Sequence, residues 1–192
     1  MTIFLILAPY AAFATLMLVT SAAMSLFASA AICLMVMAYD AFRGRSIKML
    51  GAGSVIVFTA LGATITLVDI GLSGSAVKLA VDAGVLAISL VSLAIRQPFT
   101  LQYAREMVDA ETAQLPGFIR ANYIITWAWT GAFLLMMIAN VLMIYVPGLP
   151  LWFGIAIVFA ARNSAVYFTK WYPEHRKAKY GTPPATALPR TH

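Results

Sequence analysis

Residues 50–95 read LGAGSVIVFTALGATITLVDI, then GLSGS, then AVKLAVDAGVLAISLVSLAI, two apolar stretches joined by a short connection with no Lys or Arg. A helix rises ~1.5 Å per residue, so about 20 apolar residues cross the ~30 Å of hydrocarbon in a bilayer. Each stretch meets that length, and the connection is long enough only for a hairpin. Working outward, further apolar stretches run from Ile3 to Ala38, Ala121 to Val146 and Leu149 to Thr169. Their lengths predict an all-α, polytopic bundle with spans at about 21–38, 50–70, 76–95, 121–146 and 149–169. An N-terminal membrane-embedded segment precedes the first span. Residues 173–192 form the remainder, a cytoplasmic tail expected to be largely disordered.

The charges sort by side. Of 13 Lys and Arg residues, Arg43, Arg45 and Lys48 follow the first stretch, and Arg96, Arg105 and Arg120 lie beyond the third. Lys170, Arg176, Lys177, Lys179 and Arg190 follow the last. Gly71–Ser75 and Pro147–Pro150 carry none. Basic loops stay in the cytoplasm, so these three basic segments and the C-terminus are expected there. The chain is 62% hydrophobic and only 10% charged, well below the roughly 25% of a soluble domain. Its net charge of +6 is explained by a basic face on anionic lipid, without nucleic acid. The single Cys33 excludes an intramolecular disulfide framework.

The first stretch is too long for one crossing. From Ile3 to Ala38 it would span ~54 Å as one helix, and Pro9 is placed to break or kink it. A segment from Thr2 to about Thr20 that lies in or re-enters the membrane, followed by a crossing from about Ser21, accounts for the length. A cleaved signal peptide is the rival reading, but no charge precedes Ile3 and the apolar run does not stop at a cleavage site. Ser21, Ser25, Ser29 and Cys33 recur at every fourth position, and Ala80 and Gly84 share the spacing. Such faces let helix backbones approach closely, as an internal seam or as a homo-oligomer interface.

Polar residues at membrane depth are where function is first sought, because an unpaired charge there is costly. Lys78, Asp82 and Asn140 fall within roughly 10 Å of the expected outer boundary and Asp69 at that boundary. Arg162 lies about 20 Å in, its side chain leaning outward, toward Asp82. Lys78 and Asp82 share a helix face and are placed to pair. Two readings stand: a buried electrostatic seam, or a hydrated pocket for a small anion, a proton or a lipid headgroup. Catalysis has less support. Both histidines, His175 and His192, lie near the C-terminus, so no intramembrane His-Glu-x-x-His zinc site exists, and no Gly-x-Ser-x-Gly elbow, phosphate loop or cofactor motif occurs.

The loop from Arg96 to Arg120 mixes charges of both signs. Its Tyr103–Ala113 portion predicts an interfacial amphipathic helix ending near Pro116 and Gly117. That helix is either a solvated connector or a docking surface, with Arg105, Glu106 and Asp109 as the contact residues. From Tyr180 onward, Pro183, Pro184 and Pro189 among Thr and Ala preclude a packed core.

A short basic loop is followed by two closely spaced spans, Arg96-Gln97-Pro98-Phe99, a mixed-charge loop closed by Leu115-Pro116, Trp129 and Ala139-Asn140. With Lys78, Phe153-Gly154 and Tyr172-Pro173, this order resembles the intracellular septation protein A family over most of residues 40–173. The chain departs from the family pattern at Val77, where the family has Trp, and at Leu151-Trp152, where it has Asn-Phe-Lys before Phe-Gly. The resemblance implies a non-enzymatic inner-membrane protein of envelope maintenance, septation or cell division. Its partners would be lipids and other membrane proteins of the division and elongation machinery. A small transporter or channel using the polar belt is the alternative, and a membrane enzyme acting on lipid a further one.

Overall fold

The computed structural model describes residues 2–68, 71–146 and 148–180, all of whose regular structure is helical. The helices are α1 (Thr2–Leu16), α2 (Ala22–Phe42), α3 (Met49–Val68), α4 (Gly74–Ala94), α5 (Phe99–Arg105), α6 (Pro116–Tyr145) and α7 (Leu151–Tyr180). Packing follows chain order: α1 on α2, α2 on α3, α3 on α4, α4 on α6 and α6 on α7, with short α5 touching α3, α4 and α6. Four of them, α2, α3, α4 and α6, are long and apolar enough to cross a membrane. Helix α7 equals α6 at 30 residues, but Arg162 and Asn163 interrupt its apolar half and its last turns are charged.

Local chemistry places the helix ends. Ser21 and Ser73 cap α2 and α4, their hydroxyl oxygens accepting from the N–H groups of Met24 and Ala76 at 3.3 and 3.2 Å. Helix α2 closes in a left-handed turn at Gly44 (φ 69°), with Arg45 N–H donating to the Asp40 carbonyl and Gly44 N–H to that of Ala41. Helix α4 closes in the same pattern at Arg96 (φ 58°), with Gln97 donating to Ser92 and Arg96 to Leu93. One of these turns has the residue that suits it and the other does not.

Hydroxyl side chains are buried among the apolar core of the bundle, and large apolar side chains also cover its outside. Ser25, Ser29, Ser54, Ser89, Ser92, Thr126 and Thr130 are all buried. Ile56, Leu67, Trp127, Leu135 and Phe159 face outward. A water-soluble bundle would expel that surface, whereas lipid accepts it, and the buried hydroxyls then join helices that gain little from hydrophobic contact. Ser89 and Thr130 share a hydrogen bond of 2.6 Å between α4 and α6, and Trp129 Nε1 donates to Thr169 Oγ1 at 2.9 Å between α6 and α7. Helices α3 and α4 approach so closely that a Cβ on Gly84 would stand 2.6 Å from Val57 Cγ1.

Four expectations need correction. Pro9 does not end α1: the helix runs through it, and the break falls at residues 17–21, where Ser21 recruits the next N–H groups to a new helix. Tyr103–Ala113 is not one helix. Pro98 starts α5 early, Ser92 Oγ accepts from Phe99 N–H at 3.3 Å, and the chain leaves helix at Glu106, with a 3-10 turn only at Thr112–Gln114. Pro116, expected at a helix end, begins α6, where its missing N–H costs nothing. Residues 173–180, assigned to the tail, continue α7 through Pro173. The rest of the tail, 181–192, lies outside the described residues.

Candidate functional site

Where α2 ends and α3 begins, four charges meet. Lys48, only 4% exposed, donates to Asp40 Oδ2 at 2.7 Å and reaches Glu106 Oε1 at 3.2 Å. Arg45 stands 3.3 Å from Asp40 and 4.0 Å from Glu106. Two cations thus balance two carboxylates contributed by α2 and by the chain just beyond α5. Lys48 Nζ also lies over the Tyr103 ring, 5.3 Å from its centroid. Gln102 Oε1 accepts the free Met49 N–H of the α3 terminus at 2.7 Å. Burial, reinforced by Tyr10 and the Asp40 carboxylate, pushes the Tyr103 hydroxyl above the ordinary tyrosine range, so it stays neutral.

Beneath this cluster is a cavity of about 40 Å³ among Tyr10, Cys33, Asp40, Lys48, Ser54 and Tyr103. That volume suits about one water molecule, too small for a metabolite. The Tyr10 and Ser54 hydroxyls share a short hydrogen bond there, fastening α1 to α3. Phe13 joins Tyr10 against Phe58, both ring pairs at 5.7 Å. The chemistry of the cluster is charge neutralisation and anchoring. The sequence singled out neither Asp40 nor Lys48 for this: Lys48 reads there as one more residue of a basic loop, and Asp40 is given no role.

The intramembrane residues are arranged differently. Asn140 Nδ2 donates to Asp82 Oδ2, joining α6 to α4 by a short bond. Lys78 and Arg162 are both half-buried, and among the described residues neither makes an ion pair within 4 Å; the four such pairs all belong to the Lys48 cluster. Asp69 lies outside the described residues. Among the described residues no group of three metal-ligating side chains assembles.

The three residues expected to meet a partner also separate. Glu106 turns into the Lys48 cluster. Asp109 caps the following turn, accepting from Thr112 N–H at 2.8 Å and Thr112 Oγ1 at 2.9 Å, bonds that hold its carboxyl below the usual range. Arg105 is exposed beside Met107, which is 74% exposed. Helix α5 itself is tied to α6: Thr100 Oγ1 donates to the Asn122 carbonyl at 2.9 Å and shares a hydrogen bond with Thr126 at 2.6 Å.

No protein-family model matches the chain, and no curated protein or solved structure shows significant similarity to it. The residues that carry the septation-family resemblance serve here as turns and contacts. Arg96 is the left-handed helix end, Pro98 and Phe99 are buried at the start of α5, Pro116 opens α6, and Trp129 and Ala139 are buried on α6.

Proposed function

We propose that this multi-pass membrane protein crosses the bacterial inner membrane five times, α7 being the fifth span, with its basic end in the cytoplasm. It acts there without catalysis, as an envelope or septation factor that contacts other membrane proteins through the segment from α5 to α6. The orientation is supported by the way one end of the bundle is knit together. Lys48 binds Glu106, Thr100 binds Asn122 and Arg176 Nη1 donates to the Gly117 carbonyl at 3.0 Å, which gathers the basic ends of α2, α4, α6 and α7.

One observation carries the contact reading. Residues 99–106 are pinned on two sides, by Gln102 and Glu106 to α3 and its approach and by Thr100 to α6, yet the next residue, Met107, is held out in the open. A solvated connector has no need of such anchoring. A flexible apolar side chain beside a cation, on a fixed support, is a surface made for a partner. The septation assignment rests on the order and spacing of the motifs above.

The test is photo-crosslinking from position 107 in cells. Protein adducts are expected, and Arg105→Glu should lower their yield about tenfold, the equivalent of ~1.4 kcal/mol, without reducing membrane insertion. Adducts with lipid alone would overturn the contact reading. Reporter fusions after Arg45 and Lys179 should both report cytoplasm.

A further inference from the structure

On the far side of the same end, the first turns of α6 and the last turns of α7 enclose an open groove of about 420 Å³. It is lined by Arg120, Ile124, Tyr172, His175, Arg176 and Lys179. Every charged group in this lining is basic. Arg176 is held at the mouth by its bond to the Gly117 carbonyl, and Gly117 belongs to the first turn of α6, where the helix dipole favours negative charge.

The groove also has an aromatic flank. Trp171 stacks on His175 at 4.6 Å, and Phe168 on Tyr172 at 5.1 Å. Trp171 is 39% exposed. Trp and Tyr rings concentrate at the level of lipid headgroups, with cations just beyond them on the cytoplasmic side. Read down α7, a run that is apolar but for Arg162 and Asn163 gives way after Phe168 to Lys170, Trp171 and Tyr172, and then to Glu174, His175, Arg176 and Lys179. The wall of Ile124 and Tyr172 offers apolar surface to a glycerol backbone while the cations face a phosphate.

We propose that this groove binds the phosphate headgroup of an anionic glycerophospholipid in the cytoplasmic leaflet. The proposal rests on the membrane placement above and adds to it a site. Charge complementarity selects the anion; the aromatic row and the apolar wall select a lipid over a soluble phosphate. Guanidinium groups suit phosphate because their planar donors can engage two of its oxygens at once.

The experiment uses the full chain purified in a neutral detergent, titrated with short-chain phosphatidylglycerol, short-chain phosphatidylcholine and inorganic phosphate, with Trp fluorescence as the readout. Saturable binding of phosphatidylglycerol is expected, at least tenfold tighter than either of the others. Arg120→Gln with Lys179→Gln should weaken it at least tenfold. Arg43→Gln with Arg96→Gln removes the same charge elsewhere and should change it less than twofold. Equal losses in both double variants would reduce the effect to net charge and overturn the site. Inorganic phosphate binding as tightly as the lipid would overturn the lipid assignment. Should the groove variant fail to fold, a photoreactive phosphatidylglycerol on the unmodified chain gives the answer: labelling is expected at Tyr172–Lys179 and near Arg120, and labelling elsewhere overturns the proposal. Because binding is read in detergent, its failure leaves the topology standing, and a reversed topology leaves the binding standing.

Discussion

Asp82 and Asp40 are both carboxylates on long apolar helices, yet the bundle treats them differently. Asp82 is met by one amide, Asn140, in the body of the bundle between α4 and α6. Asp40 sits one turn from the end of α2 and is met by Lys48 and Arg45, which also serve Glu106. Deep in a membrane protein, an amide supplies a hydrogen bond without a second ion to desolvate. Near the water boundary that cost falls, and four charges can be gathered. The deep site is therefore a single stitch between two helices, and the peripheral one a junction of three segments.

The largest test of this contrast is Lys48→Met, which keeps the apolar stem and removes the charge. Asp40 and Glu106, with side chains 16% and 21% exposed, would then share Arg45 alone. A loss of about 3 kcal/mol is expected, the low end for a broken buried pair because some water reaches both carboxylates. Unfolding in detergent measures it, and Asp40→Asn in the Lys48→Met background should restore part of the loss. If Lys48→Met is neutral, the cluster is a surface ion pair and the contrast collapses.

Next is Asp82→Asn, expected to cost only about 1 kcal/mol, since an amide can still bond Asn140. Were Asp82 a transport group, this variant would fold normally and lose solute flux in liposomes. That outcome would invert the comparison, making the deep site the functional one.

The smallest effects concern the two matching helix ends. Gly44→Ala should destabilise by about 1 kcal/mol, because a Cβ is strained in the left-handed region. Arg96→Gly relieves the same strain and should stabilise by a few tenths of a kcal/mol, less than the full relief because Gly gains freedom when unfolded. Thermal midpoints of the two purified variants should move in opposite directions.

The all-helical, membrane-spanning character was legible because lipid imposes a length and an apolar composition on any helix that crosses it, and α2, α3, α4 and α6 each meet both. The local caps were not read: Ser73, which caps α4, lies in a short connection noted only for its length and lack of basic residues. Nor was the Lys48 cluster. It joins residues far apart in the chain, and such pairing leaves no periodic trace in composition. Glu106 was noticed, but as an outward-facing group, because its helix was assumed to run to Ala113. Pro116 misled for a related reason: proline marks a helix boundary without saying which side of it is helical, and α6 begins where the loop was expected to have its helix end.

The Lys48 cluster also has an order of assembly. During synthesis the α2–α3 connection emerges with Arg43, Arg45 and Lys48 against Asp40 alone. Glu106 is made only after α4, and its arrival balances Arg45 and Lys48 in the finished fold. Under the orientation proposed above the same cations act twice, first as the positive residues that hold the loop on its side and then, paired with a late carboxylate, as a buried fastening.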